Sequence, residues 1–318
     1  MIYEFAPLEG ITDAVYRRCH ARFYPGIARY YTPFVSPTQN HRFTPREKRE
    51  LSPENNPGIT LIPQLLGKNA ADFIWAAETL ADMGYGEVNL NLGCPSRTVT
   101  AKGKGAGLLS RPEELDRFLD AIFAASPIEI SIKTRLGMES PEEFGPILAI
   151  YERYPLRRLI IHPRTARQLY SGDLHMDRFA RALAYTSHPV VYNGDLFTSG
   201  RCRRFFEAYP QVDTVMLGRG LVADPGMLRK LEGQPPDKLR LKRFHDALCA
   251  EYPVVFGDRS SAAHRMKAIW AYLLFSFRDG ERFRKSLIKA RRWEDFIAVT
   301  EEVFQKLELL DEAVFRPL

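Results

Sequence analysis

Short runs rich in β-branched and aromatic residues recur along the first three-quarters of the chain. They are Ile2–Phe5, Ala28–Phe34, Ile59–Leu65, Glu87–Leu92, Ile128–Lys133, Leu159–His162, Pro189–Tyr192 and Thr214–Leu217. Several are almost continuously apolar, as strands buried on both faces of a parallel sheet should be. Most of the intervening segments have helical periodicity and start signals. Asn69 precedes Ala70, Phe73, Ile74, Ala77 and Leu80, with Gly84 as the stop; Ser110–Glu113 and Ser140–Glu143 have the spacing of capping boxes. Eight strands alternating with helices over about 235 residues predict a (β/α)8 TIM barrel, with a doubly wound sheet as the rival. Beyond the linker-like Gly233–Pro236, strand signals fade. Phe244, Leu248, Trp270, Leu273, Phe277, Trp293, Phe296 and Phe304 fall at helical spacings. The division expected is a barrel domain at 1–235 and a small all-helical domain at 236–318.

Barrel chemistry sits where strands end, at the C-terminal face. The predicted strand ends are unusually polar: Pro7-Leu8-Glu9, Gln64, Asn91 through Cys94, Lys133-Thr-Arg135, His162-Pro-Arg164, Asn193-Gly194-Asp195 and Gly218-Arg219-Gly220. Core packing does not demand such a set, and in a barrel these residues converge on one mouth. Gly218 to Ala223 formally matches GxGxxA, but Asp224-Pro225 interrupts the helix a dinucleotide fold needs. A phosphate grip after the last two strands suits the barrel better. Cys94 opens a Gly- and Lys-rich loop running to Gly107, placed as a nucleophile or general acid. That loop reads as a mobile lid whose lysines suit an anionic substrate.

Composition narrows the class. With 45% hydrophobic and 26% charged residues the 318-residue chain is globular. Four widely spaced cysteines make neither a disulfide framework nor a metal site, and no apolar run is long enough to span a bilayer. The expectation is a soluble cytoplasmic protein without metal, membrane attachment or a stable protein partner. Net charge is +6, and the surplus is concentrated: residues 240–292 hold 13 Lys/Arg against 5 Asp/Glu, whereas 293–318 hold 2 against 7. Such a basic segment is either a solvated helical face or a nucleic-acid surface.

The ordered set of strand-end motifs resembles the tRNA-dihydrouridine synthases. It comprises Ala6-Pro7, the PQLLG string at Gln64, Asn91-Leu-Gly-Cys94-Pro-Ser, Lys133-Thr-Arg-Leu-Gly137, His162-Pro-Arg-Thr165, Asn193-Gly-Asp195 and Gly218-Arg-Gly220. The helical tail, with Ala263-His-Arg-Met-Lys267 ahead of Trp270, is similar to that family's tRNA-recognition domain. The resemblance implies bound FMN, NADPH as reductant, and reduction of the C5=C6 bond of a tRNA uridine. It implies FMN contacts from Pro7, Leu8, Glu9, Gln64, Lys133, His162, Asn193, Gly194, Asp195, Gly218 and Arg219, with Cys94 as general acid. Asn91, Arg135 and Arg164 would meet the uracil or its phosphate, and Arg259, Arg265, Lys267, Arg284 and Lys285 the rest of the tRNA. Two positions depart from the pattern: Leu8 stands where Met is common, and Pro163 where Gly is usual. A small-molecule FMN enzyme of the dihydroorotate dehydrogenase kind, or a non-catalytic RNA-binding barrel, are the competing readings.

Overall fold

The computed structural model describes residues 1–313 and Phe315. Nine strands are hydrogen-bonded in parallel: β1 (Ile2–Phe5), β2 (Arg29–Tyr31), β3 (Leu61–Ile62), β4 (Gln64–Leu65), β5 (Glu87–Leu92), β6 (Glu129–Arg135), β7 (Leu159–His162), β8 (Val190–Tyr192) and β9 (Thr214–Leu217). Their order is β3-β2-β1-β9-β8-β7-β6-β5-β4. Because β3 and β4 are one chain segment broken at Pro63, the ring closes as an eight-membered barrel. Proline has no N–H for the ladder, which is why the expected strand at 59–65 is split. The Pro63 carbonyl still accepts from Asn89 N–H at 2.8 Å.

The helices form where their caps place them. The Asn69 side chain accepts from Asp72 N–H and starts the helix Ala70–Asp82, and Gly84, at φ +90°, follows its end. Ser140 and Glu143 make the expected capping box, which opens a 3-10 turn leading into the helix Phe144–Tyr151. The box expected at Ser110 does not form. Arg111 is the N-cap of the helix Pro112–Ala125 without a side-chain cap, and Ser110 Oγ donates instead to the Gly107 carbonyl.

The barrel interior is layered. At the closed end Glu4 is fully buried, accepting from Tyr31 Oη at 2.8 Å and Arg29 at 3.0 Å, and burial raises its pKa. Above it Ala6, Tyr31, Ile62, Ile160, Val191 and Met216 form an apolar plug. The open end is polar.

After β9 the chain is helical: Lys238–Phe256, Arg259–Leu273, Arg284–Lys289 and Trp293–Lys306 are the main elements. The helix Lys238–Phe256 lies on the first barrel helix, Ala14–Phe23, where Phe244 meets Tyr16 edge-on at 5.5 Å. Asp13, the N-cap of that barrel helix, also accepts from Tyr252 Oη at 3.0 Å. The apolar core is therefore continuous from barrel to helical region. Among the described residues no helix is long and apolar enough to cross a membrane.

Candidate functional site

A cavity of about 390 Å³ opens at the C-terminal ends of the strands, within the size range of cofactor sites. Pro7, Leu8 and Glu9 border it after β1, Gln64 on β4, Asn91 on β5 and Cys94 after it. Lys133 and Arg135 come from β6, His162 from β7, Asn193, Gly194 and Asp195 from the loop after β8, and Gly218 and Arg219 from the loop after β9. Fourteen strand-end residues singled out in the sequence thus share one space. Arg164 is not among its walls.

Gln64 and Asn91, which border the cavity, belong to a row of buried amides. Asn89 Nδ2 donates to Ser131 Oγ at 2.9 Å, Gln64 Nε2 to Asn89 Oδ1 at 2.8 Å, and Asn91 Nδ2 to Gln64 Oε1 at 2.7 Å. Asn91 Oδ1 then accepts from the backbone N–H of Gly93 and Cys94 at 3.0 and 2.9 Å. The row passes from the barrel centre to the loop that carries the thiol, so Asn91 orients that loop as well as facing the cavity.

Cys94 is half-buried. Burial pushes its thiol pKa up, more than the Ser96 backbone and the Arg135 and Lys133 charges pull it down. The thiol therefore stays protonated at neutral pH, the form a general acid requires. The following loop is folded into a short helix, Arg97–Thr100, and a 3-10 turn, Gly105–Leu108. Its glycines answer close packing: an added Cβ at Gly107 would lie 2.5 Å from the Thr100 carbonyl oxygen. Ala106 N–H donates to the Cys94 carbonyl at 3.1 Å.

Lys133 has no hydrogen-bond or ion-pair partner among the described residues, and burial followed by Arg135 lowers its pKa to about 7. His162 is held neutral by burial and by four surrounding cations, Arg135 foremost. Arg135 donates to the carbonyls of Gly93 at 3.0 Å and Thr165 at 2.8 Å, tying β6 to the Cys94 loop. Arg164 is almost fully buried behind the wall, donating to the Gly172 carbonyl and to Asp195 Oδ1 at 2.9 Å. Asp195, at φ +44°, also accepts from Arg219 at 3.1 Å. Its carboxylate therefore braces two arginines. The carbonyl of Pro163 accepts from His175 N–H at 2.8 Å, shaping the loop after β7.

That loop carries Tyr170, which sequence reasoning missed because nothing local marks it. Its ring has Arg219 at 4.7 Å and Arg135 at 5.2 Å from the centroid. Phe34, Phe197, Tyr272 and Phe315 are further aromatic walls missed in the sequence. Tyr272 and Phe315 come from the helical region and the C-terminal segment.

The basic residues of the helical region are not alike. Arg265 is mostly buried, 3.2 Å from Asp13, and Lys267 donates to the Ala290 carbonyl. Arg284 pairs with Glu281 and lies over Phe275. Arg259 is exposed and paired with Glu294 at 2.8 Å, and Lys285 is exposed. None of the five borders the cavity.

The dihydrouridine synthase (Dus) family model matches residues 4–314. The chain belongs to the dihydrouridine synthase family. It is 32% identical over 227 residues to a probable tRNA-dihydrouridine synthase of Rhodobacter capsulatus, covering 71% of this chain and 69% of that protein. It is 28% identical to probable tRNA-dihydrouridine synthase 1 of Synechocystis, covering 97% and 85%. In fold it is similar to an old yellow enzyme homologue from Zymomonas mobilis, with a TM-score of 0.53, 10% identity, and 74% and 89% of the two chains covered.

The donor set fits a flavin mononucleotide. Lys133, without a partner among the described residues, faces the cavity from deep in the barrel. Gly194, Gly218 and Arg219 border the loops where barrels of this kind grip phosphate.

Proposed function

We propose that this chain reduces the C5=C6 bond of a uridine in tRNA to 5,6-dihydrouridine with FMN and NADPH, at the cavity above the barrel. The observation carrying this reading is that one cavity gathers the Cys94 thiol, a lysine without a partner among the described residues and two glycine-bearing loops, in a family member. FMN, when bound and reduced by NADPH, supplies the hydride that reaches C6. Pro7, Leu8, Glu9, Gln64, Lys133, His162, Asn193, Gly194, Asp195, Gly218 and Arg219 hold it. Lys133 supplies positive charge to an electron-rich ring edge. Neutral His162 offers a hydrogen bond without adding another charge.

Cys94 gives its proton to C5 of the uracil, and its raised pKa keeps that proton available. Asn91 and Arg135 orient the uracil and the Cys94 loop together, whereas Arg164 acts by bracing Asp195. The target base must leave the RNA stack to enter, at a cost of about a few kcal/mol. Phosphate contacts from the helical region beginning at 236, including Arg259 and Lys285, offset that cost.

The test is spectroscopic. The purified protein should show flavin absorbance that bleaches with NADPH under anaerobic conditions and returns on adding unmodified tRNA, but not free uracil or orotate. Recovery with the free pyrimidine would favour the small-molecule enzyme. A colourless protein that cannot be reconstituted with FMN would reject the mechanism.

Lys133 adds a pH signature. With its pKa near 7 in the flavin-free protein, the charge is present below that pH and lost above it. Flavin affinity should therefore weaken as pH rises through 7, by up to about tenfold per unit, because binding favours the protonated form. Flavin fluorescence titrations measure this, and Lys133→Met should flatten the profile.

A further inference from the structure

The stretch from Gly93 to Pro112 contains Arg97, Lys102, Lys104 and Arg111 and no Asp or Glu. Its fold concentrates these charges. Gly103 sits at φ +65°, and an added Cβ there would lie 3.4 Å from both Arg111 Nη1 and Lys68 Nζ. Lys68 arrives from the loop after β4 and Arg111 from the far end of the Cys94 loop. Two cations from separate segments thus converge over one bare backbone position. Lys68, Arg97, Lys102 and Arg111 are exposed. The one carboxylate paired with the cluster among the described residues is Glu114, 3.2 Å from Arg111 Nη1. Like charges held this close repel one another, and a bound anion relieves that repulsion. The cluster adjoins the chemistry, because its loop is tied to the Cys94 carbonyl through Ala106.

We propose that Lys68 and Arg111, flanked by Arg97 and Lys102, form a phosphate-binding surface on the barrel that holds the RNA backbone beside the target uridine. The inference rests on the tRNA reading above and deepens it: RNA contact is shared between the helical region and the rim next to the thiol. The folded Cys94 loop then has two duties, presenting the proton donor inward and the phosphate contacts outward. The occupant is the RNA strand that carries the uridine, since only that strand must lie within reach of Cys94.

The test uses the flavin-loaded protein and unmodified tRNA in fluorescence-anisotropy titrations over a series of salt concentrations. Lys68→Ala with Arg111→Ala should weaken binding by about tenfold and flatten the dependence of log K on log salt by about one to two units. Arg111→Lys, which keeps the charge, should restore affinity, whereas a purely structural role at the helix N-cap would not be rescued. Melting temperature and flavin content check the fold; if the double variant is unstable, Lys102→Ala, on an exposed residue, gives the same readout at smaller size. Unchanged affinity and salt slope in a folded double variant, with Lys285→Ala weakening binding, would overturn the proposal. Absence of salt-dependent tRNA binding by the wild type would instead reject the tRNA reading itself.

Discussion

Cys94→Ala should lower the rate of dihydrouridine formation by about a hundred- to ten-thousand-fold, the usual worth of a positioned general acid. NADPH should still bleach the flavin, because the thiol takes no part in that half-reaction. Single-turnover mixing of the reduced protein with tRNA separates the two steps. The wild-type rate should hold across neutral pH and fall on the alkaline side, above the raised thiol pKa. Cys94→Ser should recover little, since a hydroxyl is a much weaker acid than a thiol. Equal rates in Cys94→Ala and wild type would assign the proton to another donor or to water.

Arg164→Ala should cost about 3 kcal/mol of stability, the lower end of what breaking a buried ion pair costs. The lower end applies because Asp195 keeps Arg219 as a partner at 3.1 Å. The Gly172 carbonyl and His162, with its ring nitrogen 3.3 Å from Arg164, lose their neighbour as well. Denaturant unfolding with and without FMN measures the loss. The gap between the two curves should narrow, because Asp195, which with Arg219 is proposed to hold FMN, loses the Arg164 brace. A direct uracil contact from Arg164 would predict the opposite split, with stability held and the rate on tRNA reduced.

The contrast between Arg164 and Arg135 illustrates what a linear reading can give. Both end a strand motif, and both read as substrate contacts. Arg135 is on the inner face of β6 and borders the cavity, whereas Arg164 lies two residues beyond β7, where the chain has turned and aims its side chain at Asp195. The Lys-Thr-Arg spacing on β6 has period two, which a strand converts directly into a shared face. Beyond the strand no such period holds. The same rule made Asn89 legible in hindsight: it precedes Asn91 by two on β5, and both side chains enter the amide row.

The strand runs, the alternation with helices, the caps at Asn69 and Ser140 and the convergence of strand ends were all determined by the sequence alone. Each rests on local periodicity or on the one geometry by which parallel strands close a barrel. Tertiary structure decided what sequence separation hides. Pro63 splits one strand without opening the ring. Asp13 anchors the helical region through Tyr252 and engages Arg265, which the sequence presented as a tRNA contact. Tyr170, Tyr272 and Phe315 reach the cavity from segments far apart in the chain. Whether a cation is free for RNA depends on which carboxylate or carbonyl happens to fold against it. No count along the chain contains that information, because ion pairing is set by distances that exist only once the chain is packed.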